Sequence, residues 1–300
     1  MHYKGHVLRV KQIYYRALAA SRRLFYLLIK TRLSQYETMA YKLKTRQLVG
    51  AACSDGIILS YPKSGRTWIE TMLSHLFICR LGLPKTRILD FQEDRAELAL
   101  LPYLFFTHDY AHTTGGQWLI PKSGSRRHFW ETPTLFVVRH PIDTAVSMYF
   151  QESSRFKNFN DVDIYEFVNN YEGGLLTVIE FLNFWLKETK NIQRHKIVRY
   201  EDLSADTFTV FSQIVEFFGL SFDENEIRTA VEFSEFENLQ KLEKSGELSD
   251  WRFSKGTVSN DDTLKVRRGK VEGYKDYFNK EQIAILEKKV ENTLDKRFGY

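Results

Sequence analysis

Short apolar runs alternate with amphipathic stretches along most of this 300-residue chain. Ile57, Ile58 and Leu59 form one such run. A loop from Tyr61 to Thr67 follows it, and an amphipathic helix is predicted from near Thr67. The stretch from Leu98 to His108 ends in an apolar run that predicts a buried strand. Residues 133–139, PTLFVVR, are a continuous β-branched and aromatic run, the pattern of a central strand covered on both faces. His140-Pro141 breaks that run, and a helix is predicted over 142–150 with Asp143 in its first turn. Residues 164–190 read as mainly helical, interrupted at Gly173-Gly174, and 196–200 as another short strand. Helices are predicted over 205–218 and 223–232, separated by Gly219, and a terminal amphipathic helix over 281–294. Residues 83–94 read as a polar connection, 110–127 as a loop rich in Gly, Thr and Ser, and 244–268 as a polar, irregular segment suited to a lid. Strands alternating with helices predict an α/β fold with a central parallel sheet flanked by helices.

The first 48 residues follow another pattern. They lack Pro and, past Gly5, lack Gly, with Val7, Val10, Tyr14, Leu18, Phe25, Leu28 and Ile29 at helical spacing. Arg9, Lys11, Arg16, Arg22, Arg23, Lys30 and Arg32 lie between them. The run from Leu24 to Ile29 is far too short to span a bilayer, and interrupting charges remove the shape of a signal peptide. The expected organisation is a basic N-terminal helical arm over 1–48 and one α/β domain over 49–300. The arm either lies on an anionic membrane surface or packs on the domain with a solvated basic face.

Charge sharpens this division. Residues 1–50 hold eleven Lys or Arg and one acidic residue, a net of +10. The other 250 carry 32 basic and 37 acidic residues, a net of −5. The folded body therefore lacks the surplus of positive charge that a nucleic-acid binder needs. Cys53 and Cys79 make no disulfide framework and read as reduced thiols of a cytoplasmic protein. Apolar residues make up 43% of the chain, enough for a sizeable core.

Candidate chemistry concentrates in Pro62-Lys63-Ser64-Gly65-Arg66-Thr67. Gly65 lets backbone N–H groups approach an anion, Ser64 and Thr67 add hydroxyl donors, and Lys63 and Arg66 add charge. The helix behind adds its N-terminal amides and dipole. The common nucleotide loop reads G-x-x-x-x-G-K-[ST]. Here Ser60 stands at its first glycine, and its end reads Gly65-Arg66-Thr67, with the lysine ahead of the glycine. A plain strand–turn–helix corner is the alternative. His108, at the end of an apolar strand where α/β folds place ligands, is the candidate general base, ahead of His75, His112 and His140.

The run YPKSGRTW, Tyr61 to Trp68, resembles the YPKSGTTW signature of the sulfotransferases that use 3′-phosphoadenosine 5′-phosphosulfate (PAPS), with Arg66 in place of Thr. RHPIDTAVSMYF, Arg139 to Phe150, resembles that family's R-[ND]-P-x-D-x-x-V-S-x-x-x-F segment. VRRGKVEGYKDYF, Val266 to Phe278, resembles its R-K-G-x-x-G-x-W-K-x-x-F segment, with Glu272 at the second glycine and Tyr274 at the tryptophan. The resemblance runs from about Gly56 to Phe278. It implies a P-loop-like nucleotide-binding architecture in which Lys63, Ser64, Gly65, Arg66 and Thr67 grip the 5′-phosphosulfate and Trp68 packs on the adenine. It assigns Arg139 and Ser147 to the 3′-phosphate, Arg267, Arg268 and Gly269 to phosphate, and Tyr200, Ser234 and Phe236 to the adenosine. It makes Lys63 the catalytic charge stabiliser for the leaving phosphate. His108 falls in the family's K-[ST]-H-L-P context, with Phe106 for the lysine and Asp109-Tyr110 following.

The expected activity is sulfuryl transfer from PAPS to a hydroxyl or amine of a small-molecule or lipid acceptor, with no metal and no nucleic acid. Aromatic loop residues suggest a partly apolar acceptor, and the arm suggests peripheral membrane contact. Two alternatives stand beside this reading. One is a nucleotide-dependent phosphotransferase, which should carry Gly-Lys-Ser and a carboxylate for Mg²⁺. The other is a membrane-attached nucleotide-binding module without catalysis.

Overall fold

The structure, a computed structural model, describes residues 47–91, 94, 101–109, 111–114, 117–119, 126–155, 159, 161–248, 250, 253 and 264–300. The arm expected over 1–48 lies outside the described residues but for its last two positions. Those two open a helical stretch over 47–53.

Four strands form the main sheet in the order β2-β1-β5-β6: β1 Gly56–Ser60, β2 Leu104–Thr107, β5 Thr134–Val138 and β6 His195–Arg199. The sheet is parallel and flanked by helices, as the alternating pattern predicts. β1 pairs with β2 with Ile58 opposite Phe106. Every residue of β1, β2 and β5 is buried. β1 and β5 are the inner strands, which is why their sequences read as unbroken apolar runs rather than alternating ones.

Two differences from the sequence reading stand out. Residues 110–127 were expected to be a loop, yet β3 His112–Thr114 and β4 Gln117–Leu119 pair antiparallel, with Thr113 opposite Trp118. Gly115-Gly116 between them in sequence is a hairpin signal. The segment 244–268 begins inside a helix, Phe236–Ser245, which the polar composition concealed. Leu248, Phe253 and Leu264 of that segment are buried, and Leu248 and Phe253 cluster with Ile88. The segment is therefore anchored by apolar contacts at its described positions.

The helices are α1 Arg66–Leu81, α2 Pro141–Phe150, α3 Ile164–Asn170, α4 Leu175–Glu188, α5 Tyr200–Ala205, α6 Thr207–Phe217, α7 Glu224–Phe233, α8 Phe236–Ser245 and α9 Lys280–Thr293. α6 corresponds to the helix expected over 205–218, and α5 precedes it where no helix was expected. Asp206 divides them, because its carboxylate accepts from Thr209 N–H and starts α6 afresh. Among the described residues no helix is long and apolar enough to cross a membrane.

The chain falls into two compact units. The described residues of the first fall within Met1–Ser60, Phe91–Phe136 and Phe184–Lys196. Its core includes Ile57, Phe105, Phe129, Leu135 and Trp185, with the Phe129 and Trp185 rings edge-on at 4.8 Å. The second comprises Tyr61–Asp90, Val137–Asn183 and Ile197–Tyr300. There α1 packs along α7, and Tyr61 meets Phe181 edge-on at 5.3 Å. Neither cysteine forms a disulfide.

His75, on α1, is buried and stacked on Phe233 of α7 at 4.1 Å. Burial, helped by Lys85, lowers its pKa from 6.5 to about 4. The folded unit thus refuses a proton that the unfolded chain accepts, so this group weakens the fold as the pH falls from 6.5 towards 4. Chemical denaturation of wild type and His75→Phe at pH 7 and pH 5 should show a smaller loss on acidification for the variant. Equal losses would mean that His75 does not carry this dependence.

Candidate nucleotide site

The loop between β1 and α1 folds the way its residue types require. Gly65 has φ +93° and precedes the first turn of α1 as its N-cap, with no side-chain cap. Lys63 also lies in the left-handed region at φ +69°, a conformation that costs a non-glycine residue about 1–2 kcal/mol. Alternating left- and right-handed residues turn successive N–H groups to one side, the concavity that binds anions. The first turn of α1 contains no acidic residue. Nothing in that turn offsets the positive end of the helix dipole.

Other segments of the second unit close on this loop. The Tyr200 ring lies so near Gly65 that a Cβ there would sit 2.6 Å from its Cδ2. The Tyr200 hydroxyl donates to Gly269 O at 2.9 Å. Gly269, at φ +62°, is itself packed against Phe236, whose Cδ2 would lie 2.7 Å from an added Cβ. Trp68 donates from Nε1 to Ser234 O at 2.8 Å, and its ring centre is 5.8 Å from that of Tyr200.

Arg139 joins the same assembly from the end of β5. Its guanidinium lies 4.4 Å over the Tyr200 ring and donates to Lys63 O at 3.5 Å and to Lys270 O at 3.1 Å. Asp143, one turn on, is 3.8 Å away. That carboxylate accepts from Tyr274 N–H at 2.9 Å, and burial raises its pKa against the pull of Arg139. Ser147 lies half-buried further down α2. Arg267 stacks 3.8 Å over Phe150. Arg268 is exposed and bonded to Asp276 and to the Tyr277 hydroxyl. Thus Lys63, Gly65, Trp68, Arg139, Tyr200, Ser234, Phe236 and Gly269 are linked by direct contacts. Ser64, Arg66 and Thr67 share the loop and helix start, while Ser147 lies on α2, Arg267 stacks on Phe150 and Arg268 bonds Tyr277.

Several supporting residues escaped the sequence reading. Glu243 of α8 is buried and accepts from Lys265 N–H at 2.6 Å and Val266 N–H at 2.9 Å. Gln240, one turn earlier, donates to Val266 O at 3.1 Å. Together they hold the backbone just ahead of Arg267. Glu201 accepts from His140 N–H at 2.9 Å and from the Tyr300 hydroxyl at 2.7 Å, fixing the corner after Arg139. Spacing of Gln240 and Glu243 on one helix face was the available signal, but only tertiary contact gives it meaning.

A phosphorylated adenosine fits these residues on two observations. The buried hydroxyls of Ser64 and Ser234 have no hydrogen-bond partner within the protein, a costly state that a polar ligand relieves. Gly65 and Gly269 are packed so tightly that any side chain would displace the aromatic rings beside them.

In the first unit, His108 follows β2, half-buried, with Nδ1 2.8 Å from Ser60 O and 3.2 Å from Ser60 Oγ. A carbonyl can only accept, so Nδ1 carries the proton and Nε2 holds the lone pair of the neutral ring. Thr107 Oγ1 donates to Gln47 and accepts from Asp109 N–H. Asp109, at φ +44° and fully buried, pairs with Arg126 at 2.8 Å. Burial lifts its pKa to about 6, against the lowering by Arg126. Phe106, where the resembled motif has lysine, is buried against Phe91. Of the lesser histidines, His75 is stacked in the core and His140 stacks on Tyr274 at 5.2 Å. The His112 side chain lies outside the described residues.

The chain belongs to the sulfotransferase domain family, whose model matches residues 54–298. It is 26% identical to cytosolic sulfotransferase 14 of Arabidopsis thaliana over 57% of this chain and 52% of that protein, so this match spans about half of the relative. It is 23% identical to cytosolic sulfotransferase 17 of the same plant over 84% of this chain and 78% of that one. Among solved structures, a retinol dehydratase in complex with androsterone and the inactive cofactor PAP superposes with a TM-score of 0.56 at 17% identity, over 80% of each chain. The family and enzyme class that the three motifs implied are therefore those of this chain, and the fold is a P-loop-like nucleotide-binding one.

The family's second glycine is replaced by Glu272, and the reason glycine suits it is visible: φ is +56°. Glu272→Gly should relieve about 1–2 kcal/mol of left-handed strain, offset by about 0.5–1 kcal/mol of added chain freedom. Its ion pair with Lys275 at 2.8 Å is exposed and contributes little. Urea unfolding should show unchanged or slightly raised stability; a loss above about 1 kcal/mol would mean that Glu272 is held by something more than its backbone.

Proposed function

We propose that this protein transfers the sulfuryl group of PAPS to a hydroxyl or amine of an acceptor, with the nucleotide held in the second unit. The observation that carries this reading is the convergence of Gly65, Trp68, Arg139, Tyr200, Ser234 and Gly269 in that unit around two buried, unpartnered serine hydroxyls. When bound, PAPS supplies the activated sulfuryl group, so no metal is required.

The protein residues have separable tasks. Lys63, Ser64, Gly65, Arg66 and Thr67 bind the 5′-phosphosulfate through the loop amides and charges, and Lys63 neutralises charge on the departing phosphate oxygen. Arg139, Ser147, Arg267, Arg268 and Gly269 bind the 3′-phosphate, for which a planar guanidinium anchored on an aromatic face is well suited. Trp68, Tyr200, Ser234 and Phe236 take the adenosine. His108 removes the acceptor proton at Nε2, a role supported by the Nδ1–H bond to Ser60 O that fixes the tautomer.

The acceptor is inferred to be a partly apolar small molecule or lipid, in keeping with the androsterone in the related retinol dehydratase complex. The proposed location is cytoplasmic, in keeping with the names of the plant relatives.

His108→Ala separates this reading from a module that only binds nucleotide. Release of the product 3′-phosphoadenosine 5′-phosphate (PAP) from PAPS, screened over hydroxylated and amine acceptors, should fall at least about 100-fold, as for loss of a general base. PAP affinity should stay within about twofold, because His108 is not assigned to the nucleotide. Retained turnover would remove His108 from the base role, and no wild-type turnover with any acceptor would favour the binding module.

A further inference from the structure

We propose that Asp276 is a built-in competitor for the 3′-phosphate and that Lys270 is a further cation of that phosphate's site. The inference rests on the nucleotide reading above and adds to it two residues that the family resemblance does not assign.

The observations are local and specific. Arg268 Nη2 and Lys270 Nζ both bond the Asp276 carboxylate, the lysine at 2.7 and 2.8 Å to its two oxygens. Arg268 also donates from Nη1 to the Tyr277 hydroxyl at 3.0 Å. The backbone of Lys270 is tied to the phosphate corner, because its carbonyl accepts from Arg139 Nη2 at 3.1 Å. One carboxylate therefore holds two cations of a loop whose main chain is already bonded to Arg139.

A phosphate must reach the same donors. The three side chains are 33–50% exposed, and ion pairs of this kind are worth only about 0–1 kcal/mol. A phosphate monoester dianion makes stronger charge-assisted hydrogen bonds than a carboxylate. It either displaces Asp276 from Arg268 and Lys270 or binds beside it against like-charge repulsion. In both cases the carboxylate lowers affinity for the phosphate, and Tyr277, a neutral partner, keeps Arg268 in place when the carboxylate lets go. Lys270 and Arg268 pull the Asp276 pKa down, so the competing charge is present throughout the neutral range.

The test titrates full-length wild type, Asp276→Asn, Lys270→Gln and the double variant with PAP and with adenosine 5′-monophosphate, which lacks the 3′-phosphate. Asp276→Asn should bind PAP about three- to tenfold more tightly at low salt, with the gain shrinking as salt rises. Its affinity for the monophosphate should stay within about twofold, since the carboxylate competes only for the 3′-phosphate donors. Lys270→Gln should weaken PAP by about three- to tenfold and reduce the gain from Asp276→Asn, as expected for groups that share one network. Unchanged or weaker PAP binding by Asp276→Asn, or an equal gain for the monophosphate, would overturn the inference while leaving the nucleotide reading standing. Failure of wild type and variants alike to bind PAP would overturn both.

Discussion

The contact between the Tyr200 ring and the backbone of Gly65 fixes much of the second unit. No side chain fits between them: a Cβ would lie 2.6 Å from the ring, and the left-handed φ of +93° independently favours glycine. With that space closed, one tyrosine serves three neighbours. Its edge packs the loop, its face carries the Arg139 guanidinium, and its hydroxyl binds Gly269 O. Residues far apart in sequence are thereby held to one ring, and the start of α1 is held with them.

The same region carries features that folding alone would select against. Lys63 adopts a left-handed backbone, and the hydroxyls of Ser64 and Ser234 are buried without partners. Each costs on the order of 1–3 kcal/mol. Their occurrence at one loop and its neighbours is what a site shaped for a polar ligand looks like, since a ligand that bonds the hydroxyls relieves their penalty. The first unit has a comparable concentration behind His108, where Gln47, Thr107, Asp109 and Arg126 form a buried polar chain. That chain secures the backbone on either side of the histidine.

Much of this was readable before the fold. The inner strands announced themselves because burial on both faces removes polar positions, so Ile57–Leu59 and 133–139 read as continuous runs. The three motifs marked residues that the fold brings into contact, Lys63, Gly65, Arg139 and Gly269 among them, because a phosphate-binding pattern sets particular residue types at fixed offsets from strand ends. What stayed hidden depends on tertiary contact. Helix α8 was not predicted, and only its last two residues fell in the segment read as irregular; its buried positions include Glu243, a charged residue that accepts from the amides of Lys265 and Val266. The hairpin of β3 and β4 is only three residues a side, too short for its alternation to outweigh the surrounding Gly and Thr. Glu201 and Asp276 carry no signal of their own in the sequence, and their roles appear only with His140, Lys270 and Arg268 beside them.

The central claim is that the second unit recognises an adenosine carrying a 3′-phosphate, and not a nucleoside triphosphate with its metal. Isothermal titration of the full chain with PAP and, separately, with ATP and Mg²⁺ tests it most directly. The account predicts binding of PAP alone, lost in Arg139→Ala. Preference for ATP with Mg²⁺, or undiminished PAP binding by Arg139→Ala, would contradict it.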